Sequence, residues 1–309
     1  MNDRLNHDYT SQGFAVVIPT RNRPALLADL IRNIESASLK PRIVIIVDSS
    51  ADSLFKEIYS NVLTISTRRT LIQSAAQQRN IGIDMVLERA KKLNVNFISF
   101  LDDDVRIPIN YFDELLRIFN SNSNVVGVSG YARSEDLPIQ RRNFIKDFLG
   151  ITGTPGTLTH AGVNISPFGI NSCHEVEWLI GCASWRIEGI YSLRFEEDFF
   201  GHSLYEDVIF SCRARKNGKL LFTPKLELFH FLESHNEGRV KSHYREWVTN
   251  RYRIFAYSIP NVSRTKFWVL ILFSVLDALI RAGSSYRQRQ RFLGLVEGVV
   301  IIIKKSIMK

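Results

Sequence analysis

The chain has 309 residues, is 45% hydrophobic and carries a formal net charge of +9. This length and apolar content exclude a mainly disordered protein and indicate one large α/β domain with a smaller appended element. The positive charge favours a negatively charged partner, which leaves nucleic acid, anionic lipid and a phosphate-bearing substrate as candidates.

The chain begins with a polar tail, residues 1–13, that lacks the apolar segment of a secretory signal. Its three cysteines are an odd number without CxxC spacing, which argues against a disulfide framework and against a zinc site. We therefore expect a cytoplasmic protein.

A βαβ unit is predicted next. The apolar run 14–18 predicts a strand, Pro24 suits the first position of a helix, and apolar side chains then recur at helical spacing up to residue 34. The β-branched run 43–47 predicts a second, fully buried strand.

Strands and helices continue to alternate through the first half of the chain. The further elements are predicted near residues 62–66, 81–93, 97–101, 108–119 and 125–129. This alternation predicts a mostly parallel sheet covered by helices on both faces, with ligands at the carboxyl ends of the strands. Thr20, Asp48 and residues 102–104 all follow predicted strands and should meet there.

Asp102, Asp103 and Asp104 form an acidic run at the end of a buried strand. Three adjacent carboxylates need a counter-charge, and Mg²⁺ or Mn²⁺ would supply it, usually together with substrate phosphates. A solvated acidic turn or a helix cap is the alternative for such a triplet taken alone.

Five segments decide between these alternatives, because they occur in an order and spacing that resemble glycosyltransferase family 2. They are Val17-Ile18-Pro19-Thr20-Arg21-Asn22-Arg23, Val47-Asp48-Ser49-Ser50, Arg79-Asn80-Ile81-Gly82, Leu101-Asp102-Asp103-Asp104, and Glu206-Asp207 followed by Arg213, Gly218, Pro224 and His230. The resemblance covers residues 14 to 232 and implies a GT-A fold and an inverting transfer of a sugar from a nucleotide diphosphate. Asp48-Ser49-Ser50 departs from the commoner Asp-Asp-Gly-Ser form of the family and resembles transferases that act on bacterial surface polysaccharides, including rhamnosyltransferase-like members.

The resemblance implies a donor site at the carboxyl edge of the sheet. Its residues would be Pro19, Thr20, Arg21, Asp48, Arg79, Asn80, Asp102 and Asp103. The first three would lie under the base, Asp48 would bind the base or ribose, and Arg79 and Asn80 would close over the nucleoside. Asp102 would face the ribose, while Asp103 is the variable middle position and a bystander within this group.

The resemblance also implies a cofactor and a catalytic base. Asp104, with Asp102 and His230, would hold Mn²⁺ or Mg²⁺, although a histidine after an apolar run is often only a satisfied strand-end residue. Asp207 would remove the proton of the acceptor hydroxyl, the alternative being a plain helix-capping role.

Two residues are expected on the acceptor side. Glu206 would orient an acceptor hydroxyl or a loop amide, and Trp185 would form an aromatic wall for a sugar ring, with core packing as its alternative. The catalytic domain would thus span residues 14–235, with a nucleotide-sugar half at 14–130 and an acceptor half at 131–235. Residues 131–176 contain long loops suited to lids.

A helical C-terminal region, residues 236–309, is basic and apolar. Its apolar runs 267–280 and 292–303 are too short to span a bilayer and predict either a membrane-surface element or a homodimer interface. The residues expected to face anionic lipid are Arg251, Arg253, Lys266, Arg281, Arg287, Arg289, Arg291, Lys304 and Lys305.

Several related functions fit less well. The Gln-x-x-Arg-Trp motif of processive synthases is missing, and the segment after residue 18 has no glycine of the kind that sugar nucleotidyltransferases need. We expect a UDP-, dTDP- or GDP-linked donor, a saccharide or polyprenyl-linked acceptor of cell-surface polysaccharide biosynthesis, and no nucleic acid. A non-catalytic membrane-surface scaffold that retains the nucleotide fold is the alternative.

Overall fold

A computed structural model describes residues 12–52, 60–133, 152–197, 204–231, 239–257 and 259–307. Residues 1–11 of the polar tail, residues 134–151 of the predicted loop region 131–176 and the boundary predicted at residue 235 lie outside these ranges.

Eleven strands occur in the described ranges. They are β1 (Gly13–Thr20), β2 (Ile43–Asp48), β3 (Ile65–Arg69), β4 (Val95–Phe100), β5 (Val105–Arg106), β6 (Val125–Ser129), β7 (Ala132–Arg133), β8 (His174–Val176), β9 (Ser184–Arg186), β10 (Lys219–Phe222) and β11 (Leu228–His230). Eight of them form the main sheet, in the order β3-β2-β1-β4-β9-β6-β10-β8, and β5, β11 and β7 form a small second sheet.

The main sheet is mostly parallel, as the sequence predicts. The neighbours β3, β2, β1 and β4 run parallel to one another, and so do β6 and β10. Strands β8 and β9 are antiparallel to their neighbours. Thr20 at the end of β1 lies beside Asp48 at the end of β2, so their side chains start from the same edge.

Eight α-helices of the described part follow the same alternation and then continue past the sheet. They are α1 (Pro24–Ser36), α2 (Ala75–Leu93), α3 (Tyr111–Ser121), α4 (Ile187–Ile190), α5 (Glu206–Ala214), α6 (Val240–Tyr252), α7 (Arg264–Arg281) and α8 (Tyr286–Ile307). Pro24 opens α1 at its first position, which suits a residue without an amide hydrogen.

Both faces of the sheet are buried under helices. Apolar side chains of α1 and α3 join one core with alternate residues of β1, and those of α2 join a second core with the residues between them. Gly82 lets α2 approach β1 closely, since a Cβ there would lie 2.2 Å from Cγ1 of Val17. Helix α2 carries Arg79 and Asn80 to the carboxyl edge.

The third strand begins later than the sequence pattern predicts, at Ile65 rather than near Val62. It is the edge strand of the sheet and ends in Thr67, Arg68 and Arg69, which are only partly buried or exposed. An edge strand does not need a continuous apolar run, so hydrophobicity locates it poorly.

Helices α6, α7 and α8 pack against one another around a separate apolar cluster that includes Val248, Phe267, Ile271 and Leu295. In the described ranges, none of the helices is both long enough and apolar enough to cross a bilayer. The expectation that Arg251 faces lipid is wrong, because this residue is 6% exposed and lies between the rings of Trp247 and Tyr205.

Candidate active site

The carboxyl ends of β1 and β2 are fixed by a glutamine of α2. Nε2 of Gln78 donates to the carbonyl oxygens of Thr20 and Val47, at 2.9 and 2.6 Å. Both carbonyls lie at or next to the end of a strand, and that of Thr20 also accepts from the amide of Ser49 at 3.0 Å. The first turn of α2 is thereby fastened to the edge where the candidate residues meet.

The turn after β1 is built on the segment that follows β2. Asn22 adopts a left-handed backbone conformation (φ 56°), its amide donates to Oγ of Ser50 at 2.7 Å, and its side chain accepts from the amide of Ala51. Asp48 is fully buried, and its Oδ1 accepts from the amide of Ser50 at 2.8 Å. Arg21 is exposed on this turn, whereas Pro19 is buried within β1.

Each aspartate of the acidic run contacts an arginine, and Asp103 and Asp104 share Arg23. Nη2 of Arg79 lies 2.7 Å from Oδ1 of Asp102. Asp103 accepts from Oγ1 of Thr20 at 2.7 Å, and Nη1 of Arg23 is 3.1 Å from Oδ1 of Asp103. The acidic run is therefore a compact network rather than a solvated turn.

Asp104 lies between a guanidinium and an imidazole. Nη1 of Arg23 is 3.0 Å from its Oδ2, and Nε2 of His230 is 3.1 Å from its Oδ1. His230 reaches this position because β11 pairs with β5, where it faces Val105, the residue after Asp104.

A ligand set for a divalent cation is present here. One carboxylate oxygen each of Asp102 and Asp104 and a ring nitrogen of His230 lie within 4.8 Å of one another. Two oxygen ligands with one imidazole suit Mn²⁺ or Mg²⁺, which complete their coordination with water or phosphate. The residues thus fit the cofactor that the sequence predicts.

The pKa values of Asp103 and Asp104 are shifted in opposite directions. Burial raises the pKa of Asp103, against the opposing effect of Thr20. Burial acts in the same direction on Asp104, but the hydrogen bond and charge of His230 outweigh it, so the pKa of Asp104 lies below its usual value. The contact with His230 thus favours the ionised form of Asp104.

Arg79 connects the acidic run to the Glu-Asp pair at the start of α5. Its Nη1 donates to Oε1 of Glu206 while its Nη2 contacts Asp102, and its guanidinium packs on the ring of Phe195. Arg79 and Glu206 are each 5% exposed at their side chains. A buried arginine that serves two carboxylates is a fixed part of the framework.

Asp207 follows Glu206 in the first turn of α5 and is partly buried. Its Oδ1 accepts from the amide of Val208 at 2.8 Å. Burial raises the pKa of Asp207 to about 6, against the lowering effects of that amide and of Arg79. A carboxyl group with this pKa can be a proton acceptor at neutral pH.

The sequence model of glycosyl transferase family 2 matches residues 15–172, about half of the chain. The chain belongs to this family. It is a glycosyltransferase with a mixed α/β fold of the GT-A type, as its sequence motifs indicate. A search of curated protein sequences finds no match.

Solved structures agree with this family 2 fold. A crystal structure of S. aureus TarS 1-349 is 14% identical, with a TM-score of 0.50, and the match covers 92% of this chain and 90% of that one. A structure of TarS 1-349 in complex with UDP-GlcNAc is 13% identical, with a TM-score of 0.51 and the same coverages. At such identities the likeness concerns the fold alone.

The structure contradicts two of the substrate contacts that the sequence predicts, those of Trp185 and Asn80. Trp185 is 2% exposed in β9, where it packs on Phe210 and over Gly127, so its alternative as a core residue holds and it cannot form a wall for a sugar. The side-chain amide of Asn80 is used by the backbone of Phe195 and by Glu197, which leaves it no hydrogen for a nucleoside.

Two other residues differ from their expected roles in degree. Asp103, expected as a bystander in the donor group, is a buried partner of Thr20 and Arg23. The sequence motifs predict that Glu206 orients an acceptor hydroxyl or a loop amide, whereas in the structure it forms an ion pair with Arg79. Both carboxylates contribute to the framework beneath the site.

Arg23 and Gln78 are site residues that the sequence motifs did not single out, although both lie inside matching segments or beside them. Arg23 ends the motif that begins at Val17, and Gln78 directly precedes Arg79. A signal existed for Arg23, because three adjacent carboxylates at a buried strand end need more positive charge than the one neighbouring base, Arg106, supplies.

Proposed function

We propose that this glycosyltransferase moves a sugar, with inversion, from a nucleotide diphosphate to a hydroxyl of a saccharide or lipid-linked saccharide. One observation carries the proposal: a cation ligand set at Asp102, Asp104 and His230 is joined through Arg79 to the carboxylate pair that contains Asp207. A diphosphate site and a proton acceptor are the two parts that sugar transfer requires.

The residues divide the reaction between them. Asp102, Asp104 and His230 would hold the divalent cation, which when bound neutralises the charge of the departing diphosphate. Asp207 accepts the proton of the acceptor hydroxyl as that oxygen attacks the anomeric carbon. A single proton acceptor, with no second carboxylate assigned as a nucleophile, corresponds to one displacement and hence to inversion.

The donor is tested first by calorimetry. UDP, dTDP and GDP are titrated with Mn²⁺ and then with EDTA, and UDP-GlcNAc is included because a TarS structure contains it. We expect Mn²⁺-dependent binding of one diphosphate that is lost in Asp104→Asn and kept in Asp29→Asn, a control on an exposed face of α1. Equal, metal-independent binding by all three proteins would contradict the donor site, and no binding would favour the scaffold alternative.

We also propose that the C-terminal helices bring the enzyme to an anionic lipid surface, where a lipid-linked acceptor would be found. The net charge is strongly segregated along the chain. Residues 259–309 contain nine Lys and Arg against two Asp and Glu, whereas residues 1–258 contain 31 against 29. Both acids of the C-terminal stretch are in ion pairs, Asp277 with Arg281 and Arg291, and Glu297 with Lys241 and Arg245.

Helix α7 supplies an apolar face beside this charge. Its buried side packs into the C-terminal cluster, while the opposite side presents five large exposed residues at helical spacing. These are Leu272, Phe273, Leu276, Leu279 and Ile280. An exposed apolar stripe with neighbouring uncompensated bases is typical of a helix that lies in a lipid headgroup layer.

Flotation with phosphatidylcholine vesicles, with and without phosphatidylglycerol, tests the lipid contact. We expect flotation only with the anionic vesicles, lost in Leu276→Glu/Ile280→Glu and kept in Ile109→Glu/Tyr191→Glu, which replaces exposed apolar residues elsewhere. Arg287→Gln/Arg289→Gln should weaken it more than Lys91→Gln/Lys92→Gln. A lipid-independent dimer that the α7 substitutions dissociate would instead assign this face to a second copy of the chain.

A further inference from the structure

Arg23 holds the aspartate that the cation would need. Its Nη1 bridges Asp103 and Asp104 at 3.1 and 3.0 Å, while His230 holds the other oxygen of Asp104. A guanidinium and a divalent cation bind the same lone pairs of a carboxylate. Arg23 and the cation therefore compete for Asp104.

The two arginines of the acidic run differ in how easily they can leave. Arg79 is 5% exposed at its side chain and is held between Asp102 and Glu206, so its departure would leave two carboxylates without their cation. The side chain of Arg23 is 33% exposed and stands at the start of α1, next to the turn of Asn22. Arg23 can turn outward without opening the core.

We propose that Arg23 remains paired with Asp104 when no donor is present, and that it binds the donor's diphosphate instead when cation and donor bind together. This inference rests on the proposed donor site. Arg23 is a positioning residue that weakens binding of the cation alone and strengthens binding of the cation with a diphosphate. The site then takes up its metal with the donor rather than before it.

Mn²⁺ binding without nucleotide, followed by electron paramagnetic resonance, tests the first half. A charge-assisted hydrogen bond at a partly exposed position corresponds to about three- to tenfold in affinity. Arg23→Gln should therefore bind Mn²⁺ about three- to tenfold more tightly than the unaltered protein. Arg32→Gln, on an exposed part of the same helix, should bind as the unaltered protein does, and Arg23→Met is a second variant should the glutamine protein fold poorly.

Calorimetry of UDP with and without Mn²⁺ tests the second half. Mn²⁺ should strengthen UDP binding by a smaller factor in Arg23→Gln than in the unaltered protein. In the unaltered protein Mn²⁺ releases Arg23 from Asp104 to bind the diphosphate, and the variant lacks this contribution. Unchanged or weaker Mn²⁺ affinity in Arg23→Gln, with normal metal-dependent UDP binding in the unaltered protein, would overturn this inference alone. Absence of both Mn²⁺ and UDP binding from the unaltered protein would overturn the proposed donor site as well.

Discussion

Asp207 combines a raised pKa with a position one residue from a buried ion pair. Asp207→Asn keeps the shape of the side chain but removes its ability to take a proton. We expect the transfer rate to fall by about 10² to 10⁴, with Mn²⁺-dependent UDP affinity nearly unchanged. Single-turnover assays and calorimetry measure the two quantities, and Asp113→Asn on α3 is the control. Unchanged transfer by the variant would assign Asp207 to helix capping.

The same carboxyl group predicts the pH dependence of the reaction. A proton acceptor must be ionised, and Asp207 with a pKa of about 6 loses that form as the pH falls through 6. We expect kcat/KM to fall about tenfold per pH unit below this value and to level off above it. The residual kcat/KM of Asp207→Asn should not show this fall below pH 6. A flat profile between pH 5 and 8 in the unaltered protein would contradict the prediction.

For single residues, the sequence could predict which carboxylates lie close together but not which side chains remain accessible to a substrate. Asp102 and Asp104 follow a predicted strand, so strand order alone brings them to the edge of the sheet. The burial of Trp185 depends on β9 entering antiparallel between β4 and β6, opposite Ile98 and Gly127. A three-residue strand gives no periodic pattern, so its neighbours could not be predicted.

The packing of α2 on β1 sets the position of Arg79 and Gln78. Gly82→Ala would place a methyl group 2.2 Å from Val17, so the helix must move outward, and we expect a loss of about 1–3 kcal/mol in the free energy of unfolding. Alanine would otherwise favour a helix by about 1 kcal/mol. Urea denaturation measures the change, with Gly283→Ala, where a Cβ meets no atom within 4 Å, as the control. A more stable Gly82→Ala protein would contradict the close packing.

Long elements are the part of the fold that the sequence predicts well. Strand β6 has the predicted bounds, and α1 begins at the predicted proline, because each buries a full apolar face. Strand β3 and the small sheet of β5, β7 and β11 are less regular. Their residues pair at edges, where tertiary contacts rather than local pattern decide the conformation.

Arg251 joins the C-terminal helices to the catalytic part of the molecule. Its Nε donates to the carbonyl of Gly162 at 3.0 Å, and its guanidinium lies 4.2 Å from the ring centre of Trp247 and 5.0 Å from that of Tyr205. Asn250, its neighbour, donates to the carbonyl of Leu204. Leu204 and Tyr205 directly precede α5, the helix that carries Asp207.

Arg251→Ala should therefore affect the molecule beyond its own helix. We expect a loss of about 2–4 kcal/mol in unfolding free energy, together with faster hydrogen exchange in the first turn of α5. Hydrogen exchange with mass spectrometry and urea denaturation measure these effects, and Arg287→Ala, an exposed position on α8, is the control. Faster exchange confined to α6 would show that the two parts are not coupled through this residue.

Arg79 gives the whole molecule one further property. Asp102 in the proposed donor site and Glu206 beside the proposed proton acceptor share this buried guanidinium, so loss of Arg79 would leave both carboxylates without their cation. A replacement of Arg79 would therefore require compensating changes at both carboxylates. Laboratory evolution toward new sugars should therefore leave these three residues unchanged and vary the residues around them.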